Sequence, residues 1–326
     1  MADELINLVE YAKGHPDPVA SALIELFAAE SDVVQNMRFK TVRQGINVFD
    51  RETSIPAVAF RALNAESEIS YGTQERLQDQ CYPISGLIEF DRILRKRYGD
   101  GKRMANMKGQ MKAGSRLWTD TFINGNNASD PRTFDGLKSR LKATGTGATD
   151  VDGSKDDSRL IANNTAAGGG PLSLAKLDLA VDQVNSATHI ICSRKLRTRF
   201  KAAARDPNLT NNRVTDDYDS NLGRRVLRFG DLPLLVGYEV SKQSVFLPFN
   251  EVAWGGGAAV TTSIYTVSFR EDGLCGIQTS PPEYVPVDTD RGVFERDLFE
   301  WDCGITLEDP YAADRLSSIT DAPIVA

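Results

Sequence analysis

Residues 87–125 read LIEFDRILRKRYGDGKRMANMKGQMKAGSRLWTDTFING and form the most basic stretch of an otherwise acidic chain. Apolar residues recur in its second half at helical spacing, which predicts an amphipathic helix with one apolar and one cationic face. These apolar residues are Met104, Met107, Met111 and Trp118. Between residues 92 and 116 there is a single acid, Asp100, against nine basic residues. The basic residues are Arg92, Arg95, Lys96, Arg97, Lys102, Arg103, Lys108, Lys112 and Arg116.

Glycines interrupt this predicted helix at positions 99, 101, 109 and 114. Each glycine costs about 0.5–1 kcal/mol relative to Ala in a helix interior. We therefore expect a long helix that can bend, with a break at residues 98–101. Two interpretations of its charge are open, namely a solvated helix face and direct binding of nucleic acid.

The composition of the whole chain favours the solvated face. The 326 residues carry a net charge of −7, whereas a general nucleic-acid binder is usually basic overall. The four cysteines are far apart and only two histidines accompany them, which predicts a reduced protein without a zinc site. The N-terminus lacks a signal-peptide pattern, and no apolar run has the length of a membrane span. We expect no metal, no cofactor and no contact with a membrane.

Upstream of the basic stretch, two short helices are predicted at residues 2–12 and 19–30. Residues 38–71 are rich in Val, Ile, Phe and Thr, and strands at about 38–50 and 54–63 are predicted to form a long hairpin. A hairpin without a sheet or helix beneath it is marginally stable. This one is therefore expected to lean on another subunit.

Downstream, residues 143–171 are polar and predict an exposed loop. A helix after Ser173, a buried strand at 188–193 and a helix capped by Ser193 predict a compact α/β unit. Residues 206–223 are predicted to be loop, and 226–240 to form two strands joined at Gly230 and Asp231.

The clearest strands lie near the C-terminus. SIYTVSFR (263–270) and LFEWDCGITLED (298–309) alternate apolar with polar residues, which predicts half-buried strands with one apolar and one polar face. Residues 281–326 hold eleven acids against three arginines. The strand acids Glu300, Asp302 and Glu308 are candidate partners of the basic helix, in the same subunit or the next.

Motifs for chemistry are weak. The GGG runs at 168–170 and 255–257 lack the residues of a phosphate-binding loop, so they predict turns. His189 and Cys192 could form a base and nucleophile, but positions three apart on a strand face opposite ways. The acid pairs at 156–157 and 216–217 lack a cation-binding pattern, and the three tryptophans predict core or interface positions.

Several segments, in order, resemble the major capsid proteins of tailed bacteriophages, which have the Hong Kong 97 type fold also used by encapsulin shells. These segments are IPAVAFRALN (55–64), FINGN (122–126), FDGL (134–137), FGDLPLLVGYEV (229–240), SIYTVSFREDGLCGIQ (263–278) and FEWDCGITLEDPYAADRLSSI (299–319). The resemblance extends from about Val19 to Ile319. It implies an α+β fold with the following regions: an N-terminal arm (1–37), an extended hairpin loop (38–82), a peripheral domain with a spine helix at Leu87–Phe122 (83–132), an axial domain (133–259), and returning peripheral strands (260–326).

The resemblance also implies a function. The chain would assemble with itself into pentamers and hexamers of an icosahedral head shell that encloses double-stranded DNA without sequence-specific binding. It would be a structural protein of the virion, assembled in the host cytoplasm, with a separate scaffolding protein, a portal protein and a decoration protein as partners. Two alternatives remain open: an encapsulin-like compartment, and a soluble α/β enzyme that uses the His189 and Cys192 region.

The contacts expected between subunits are non-covalent. Some family members join a loop Lys to a neighbour's Asn, but no Lys lies between Thr41 and Arg95 and no Asn follows Val260. Only Lys40, at the base of the loop, could be considered. We also expect no large proteolytic trimming. The residues predicted to make contacts between subunits are Arg43, Asp50, Arg51, Arg61, Glu66, Glu68, Arg95, Arg97, Lys102 and Arg103.

Overall fold

The computed structural model describes residues 5–16, 18–64, 66–141, 159–206, 213–219, 224–238, 245–287 and 293–325. Its α-helices are α1 (Leu8–Gly14), α2 (Pro18–Glu30), α3 (Asp32–Asn36), α4 (Arg92–Tyr98), α5 (Gly101–Asn124), α6 (Leu137–Arg140), α7 (Leu174–Asp182) and α8 (Arg194–Ala203). Its first strands are β1 (Leu5–Asn7), β2 (Arg38–Thr41), β3 (Ile46–Ser54), β4 (Thr73–Gln80), β5 (Tyr82–Asp91), β6 (Leu160–Ala162), β7 (His189–Ile191) and β8 (Val214–Asp219). The others are β9 (Arg224–Phe229), β10 (Leu232–Leu235), β11 (Glu251–Val252), β12 (Ala259–Val267), β13 (Leu274–Gln278), β14 (Glu283–Val287), β15 (Phe294–Leu307) and β16 (Ala313–Ile319).

The first sheet is built around β15, the longest strand. Strands β13 and β14 share one edge of β15, and β5 pairs along its other edge from Phe294 to Cys303. Strand β2 adds to β13 in parallel, and β1 completes the sheet. Helices α1, α2, α3 and α5 pack residues into the same core as this sheet. The predicted N-terminal arm therefore joins this core rather than lying free of it.

Aromatic rings fill the centre of that core. Trp301 lies 5.0 Å from Phe27 and 5.5 Å from Phe39, measured between ring centroids. Trp118 of α5 stacks on Phe122 at 5.4 Å. All five side chains are fully buried. Such large apolar side chains contribute about 1.5–3 kcal/mol each on burial, so the C-terminal half of α5 is fixed to β15 where Trp118 lies 5.9 Å from Trp301.

The second sheet has the strand order β6-β16-β12-β7-β10-β9-β8, with β11 paired to β12. Helices α7 and α8 pack on it through Leu177, Leu196 and Phe200, in a second core. The predicted helix, strand, helix unit is confirmed, and Ser193 accepts a hydrogen bond from the Leu196 N–H as the predicted cap. The predicted loop at 206–223 is wrong where β8 pairs antiparallel with β9, because an exposed strand of polar residues gave no apolar signal.

The basic stretch forms one strand and two helices. Residues 87–91 belong to β5, so a spine helix starting at Leu87 is wrong at its beginning. The predicted break is confirmed at Gly99, whose φ of 71° ends α4. Helix α5 then runs from Gly101 to Asn124 through Gly109 and Gly114 without interruption. The apolar face is also confirmed, since Met107 and Met111 are buried.

The hairpin exists, and residues 46–50 of its first predicted strand lie in β3, but the second predicted strand is wrong. Strand β3 pairs with β4, from Ile46 opposite Gln80 to Ser54 opposite Thr73. Of the second predicted strand (54–63), residues 55–63 lie outside regular secondary structure, and Pro56 lacks the N–H that a paired strand needs. Residues 38–41 belong instead to β2 of the first sheet.

The predicted polar face of SIYTVSFR is buried. Thr266 and Ser268 are at most 1% exposed, because β12 is a central strand covered on both sides. In β15 the predicted inward residues are buried, including Phe299, Cys303 and Ile305. Of the polar loop predicted at 143–171, residues 143–158 lie outside the described part. Among the described helices, none is long and apolar enough to cross a membrane.

Candidate surfaces for contact between subunits

The loop between β3 and β4 exposes a large apolar surface. Six large apolar side chains in the described part of residues 55–71 are 80% exposed or more. They are Ile55, Val58, Phe60, Leu63, Ile69 and Tyr71. Monomeric soluble proteins rarely leave apolar side chains clustered in this way, and such patches mark interaction sites. At about 1.5–3 kcal/mol for each side chain that becomes buried, this loop offers on the order of 10 kcal/mol to a partner surface. We call residues 55–71 the hairpin loop.

A second exposed apolar surface crosses the first sheet on the face away from α5. Leu87, Leu298 and Val285 are cross-strand neighbours on β5, β15 and β14. Leu87 is 55% exposed and Val285 is 39% exposed. Arg296 pairs with Glu89 beside this row. An apolar row with a polar margin has the composition of a protein contact surface.

The cations of the basic stretch are largely paired within the chain. The Arg103 guanidinium donates two hydrogen bonds to Asp297, at 2.7 and 2.6 Å. This fork raises the pKa of Arg103. Arg95 pairs with Glu295 at 2.7 Å and with Asp100 at 2.6 Å.

One acid of the N-terminal region, Glu30 of α2, completes this pairing. Arg116 donates to Glu30 at 2.8 Å, and the Lys112 ammonium lies 3.6 Å from the same carboxylate. Both sets of acids, from β15 and from α2, therefore face the basic stretch. The interpretation as a cationic face matched by carboxylates agrees with these contacts, whereas Lys96, Arg97 and Lys108 are solvent-exposed.

The strand acids named from sequence lie elsewhere on β15. Asp302 accepts a hydrogen bond from Thr279, and Glu308 lies 3.7 Å from Lys40. Glu300 is exposed beside Ser85. The acids of β15 that meet the basic stretch are Glu295 and Asp297. Glu295 and Asp297 lie just before the segment 298–309, in which apolar and polar residues alternate most clearly. The signal that could have identified them is the acidic residue at every second position.

The other predicted contact residues fall into two groups. Asp50 pairs across the hairpin with Arg76, Arg51 contacts its own chain at the end of β15, and Lys102 lies over the Tyr98 ring at 4.8 Å. The exposed residues of the second group are Arg43, Arg61, Glu66, Glu68 and Arg97. Contacts of either group with another subunit stay a prediction.

The residues considered for catalysis have core roles. Cys192 is fully buried, and burial raises the pKa of its thiol to about 12. His189 packs against Phe269 with ring centroids 5.1 Å apart, and its Nδ1 lies 2.9 Å from the Thr188 hydroxyl. A buried thiol with a raised pKa is a poor nucleophile. No group of three or more potential metal ligands occurs in the described ranges.

The two glycine runs form turns, as predicted, and these turns contact each other. The Gly168 N–H donates to the Gly256 carbonyl at 2.8 Å. A Cβ at Gly255 would lie 2.3 Å from the Thr165 carbonyl oxygen, so only glycine allows this approach. Their small size therefore serves backbone packing. Trp254 beside them is 41% exposed, while Trp118 and Trp301 are core residues.

Comparison with known proteins finds similarity to proteins that form shells. A family model described as major capsid protein GP7 matches residues 15–160, which include the hairpin and the basic stretch. No curated protein matches the chain in sequence.

Solved structures share the fold over most of the chain. The capsid of a native GTA particle aligns with a TM-score of 0.60 and 13% identity, over 90% of this chain and 91% of that one. The SrpI encapsulin of Synechococcus elongatus PCC 7942 aligns at 0.59 and 11%, over 90% and 89%. A chain of Microbacterium phage Oxtober96 aligns at 0.56 and 11%, over 89% and 91%. The protein therefore has the Hong Kong 97 type capsid fold, and its resemblance to the major capsid proteins of tailed bacteriophages is confirmed.

Proposed function

We propose that this protein is the major capsid protein of a tailed bacteriophage and assembles into the pentamers and hexamers of an icosahedral head. The observation that carries the proposal is the hairpin loop, a cluster of exposed apolar side chains held away from both cores. The family model matched over this hairpin and the capsid fold both support it. A second copy of the chain supplies the surface that covers the loop.

The cross-strand row of Leu87, Leu298 and Val285 is the surface of the second copy that fits this loop best. It is apolar, accessible and bordered by charge, and Arg61, Glu66 and Glu68 border the apolar residues of the loop. A contact of apolar centre and charged rim is typical of specific protein interfaces. The shell is then held without covalent links, and the boiled and reduced protein runs near its mass of 35.8 kDa.

The further partners follow from the proposed role. A separate scaffolding protein guides assembly in the host cytoplasm, a portal protein occupies one vertex, and a decoration protein binds outside. The protein is a structural component and not an enzyme. The DNA inside is enclosed without sequence-specific contacts, in keeping with the overall charge of −7.

An encapsulin-like compartment is the second candidate, and one observation favours it. A cavity of about 330 Å³ opens between α1, α2, α5 and β14, with Leu23, Ile24 and Met111 in its wall. The wall also includes Arg103, Glu283 and Asp297, and a cavity with such a mixed apolar and charged wall could hold part of a cargo protein, as an encapsulin-like shell requires. The same fold serves the encapsulin with which the chain aligns.

Gel filtration followed by negative-stain microscopy of the purified protein tests these proposals. Capsomers or large angular shells are expected, whereas small shells that retain a copurified cargo protein would favour the encapsulin-like compartment. A stable monomer or small oligomer at every concentration would overturn both.

Replacement of apolar residues in the hairpin loop tests its role directly. Phe60→Ser removes one of the largest exposed side chains, and Ala62→Ser adds a hydroxyl group to the same loop with little loss of apolar area. Because a buried Phe is worth about 1.5–3 kcal/mol, Phe60→Ser is expected to raise the concentration needed for assembly about ten-fold or more. Ala62→Ser should assemble like the parent. Equal behaviour of the two variants would remove the hairpin loop from the interface.

A further inference from the structure

The base of the hairpin is fastened to the last residues of β15. The Arg51 guanidinium donates to the Leu307 carbonyl at 2.6 Å and to the Glu308 carbonyl at 3.1 Å. The Asn47 amide donates to the Thr306 hydroxyl and to the Glu308 carboxylate, both at 3.1 Å. Strand β3 is therefore held at two points by residues 306–308, at and just beyond the end of β15.

Strand β4 is held to the same place from the other side. Arg140 of α6 donates to Asp79 at 2.7 Å and to the Ile305 carbonyl at 3.2 Å. It also donates to the Asp135 carbonyl at 2.9 Å, which fixes its position on the body of the subunit. Both strands of the hairpin are thus linked to residues 305–308, β3 directly and β4 through Arg140. Because both strands are held, these contacts oppose tilting of the hairpin in either direction.

The contacts end abruptly along β3. Positions 47, 49 and 51 face the body, while Ile46 and Val48 on the other face are 40% and 55% exposed. Among the residues the structure describes, Arg51 is the one farthest along β3 that hydrogen-bonds to the body. Arg51 is partly desolvated there, and burial lowers its pKa. The hairpin loop lies entirely beyond this last attachment.

A small rotation at this attachment has a large effect at the loop. From Asn47 to Ser54, β3 spans about 23 Å, so a tilt of about 10° about Asn47 would move the far end of the strand by about 4 Å. Interfaces pack as densely as protein interiors, and a displacement of this size would separate the loop from its partner surface. Whatever fixes the tilt therefore decides where the loop can bind.

We infer that Arg51 and Asn47, with the Arg140–Asp79 pair, form a clamp that sets the angle of the hairpin and so positions the hairpin loop for contact with a second copy of the chain. This inference rests on the proposed assembly function. It assigns Arg51 a positioning role within its own subunit, in place of the contact with a neighbour expected from sequence.

Distance measurements between spin labels on dissociated subunits test the clamp without assembly. Labels at Thr53→Cys in the hairpin and Ser129→Cys in the body, in a Cys81→Ser background, report the tilt; the other three cysteines are buried. Arg51→Met removes the donors but keeps the apolar stem. Arg76→Met is the matched control, since Arg76 pairs with Asp50 on the exposed side of the same hairpin.

Loss of two hydrogen bonds from a charged donor should lower the population of the clamped orientation about ten-fold or more. We expect a broadened distance distribution and few closed particles for Arg51→Met, with the control like the parent. Asn47→Ala should act in the same direction, which covers the case in which Arg51→Met does not fold. An unchanged distribution in folded Arg51→Met or Asn47→Ala would overturn the clamp. Failure of the parent to assemble would instead contradict the proposed function, and the distances would still test the clamp.

Discussion

Replacement of Arg103 by Met should destabilise the subunit far more than the same replacement of Arg95. Asp297, the partner of Arg103, has a side chain only 7% exposed, and Arg103 itself is 23% exposed. Removing one member of a buried ion pair costs about 3–5 kcal/mol, because the other charge stays buried without a partner. Some water can reach this site through the exposed part of the Arg103 position, so we expect about 2–3 kcal/mol.

Arg95 provides the matched control. Its side chain is 40% exposed and its partner Glu295 is 30% exposed, so water replaces the lost contact. Pairs of this kind contribute about 0–1 kcal/mol. The two arginines lie on the same basic stretch and pair with acids two residues apart on β15. Arg95 has a second partner, Asp100, but that side chain is 57% exposed, so burial is the main difference between the two sites.

Urea unfolding of dissociated subunits, followed by the fluorescence of the buried Trp118 and Trp301, measures both costs. The double variant Arg103→Met/Asp297→Leu should recover part of the loss, because it removes both charges from the buried site. Equal costs for Arg95→Met and Arg103→Met would refute the argument from burial. Additive effects of the two changes in the double variant would refute the direct coupling between Arg103 and Asp297.

Four further substitutions test other parts of the fold by their effect on the melting temperature of the subunit. Gly109→Ala should stabilise by about 0.5–1 kcal/mol because its Cβ meets open space, whereas Gly114→Ala should destabilise by about 1–2 kcal/mol because its Cβ would lie 3.2 Å from Phe299; shifts of equal sign would contradict this. Ser193→Ala should cost about 1 kcal/mol through loss of the helix cap, and no change would contradict the cap. Burial raises the pKa of Asp314 to about 7, so its protonated form favours the folded state and its contribution is lost as the pH rises from about 4 to about 7. Asp314→Asn should therefore be more stable relative to the parent at pH 7.5 than at pH 5, and an identical pH dependence of the two proteins would contradict this.

Periodic patterns predicted the elements that bury one face. The methionine and tryptophan face of α5 and the alternation of β15 each followed from spacing alone, since burial on one side leaves a regular trace in sequence. The same reasoning misassigned the polar face of β12 and of the residue that follows it, since Thr266 and Ser268 alternate as if exposed. A central strand covered on both sides accepts small hydroxyl side chains in its core, and a single sequence cannot reveal the second layer.

The second strand of the hairpin was predicted at the wrong residues for a different reason. Residues 55–64 are apolar and resemble a strand by composition, yet they form the exposed loop, while the polar segment TQERLQDQ forms β4. Strand propensity describes a surface that is half-buried within one chain. In the proposed assembly the partner of the hairpin is another subunit, so apolar residues lie where that partner would bind and polar residues where the strands meet water. The partners of Arg103 and Arg51 could not be predicted from the sequence either, because contacts between residues 194 and 256 positions apart leave no local signal.

The pairing of the basic stretch within the chain also predicts how assembly depends on salt. If the apolar hairpin loop provides most of the association energy, sodium chloride should change the concentration needed for assembly only slightly, and sulfate should lower it. An interface held by Arg43, Arg61 and acids of a neighbour would weaken as the screening length falls from about 8 Å at 0.15 M to about 3 Å at 1 M salt. Since Arg95, Arg103 and Arg116 already have carboxylate partners in their own subunit, we expect the first behaviour. Light scattering of assembly across this range of sodium chloride measures it, and disassembly at 1 M would contradict an apolar interface.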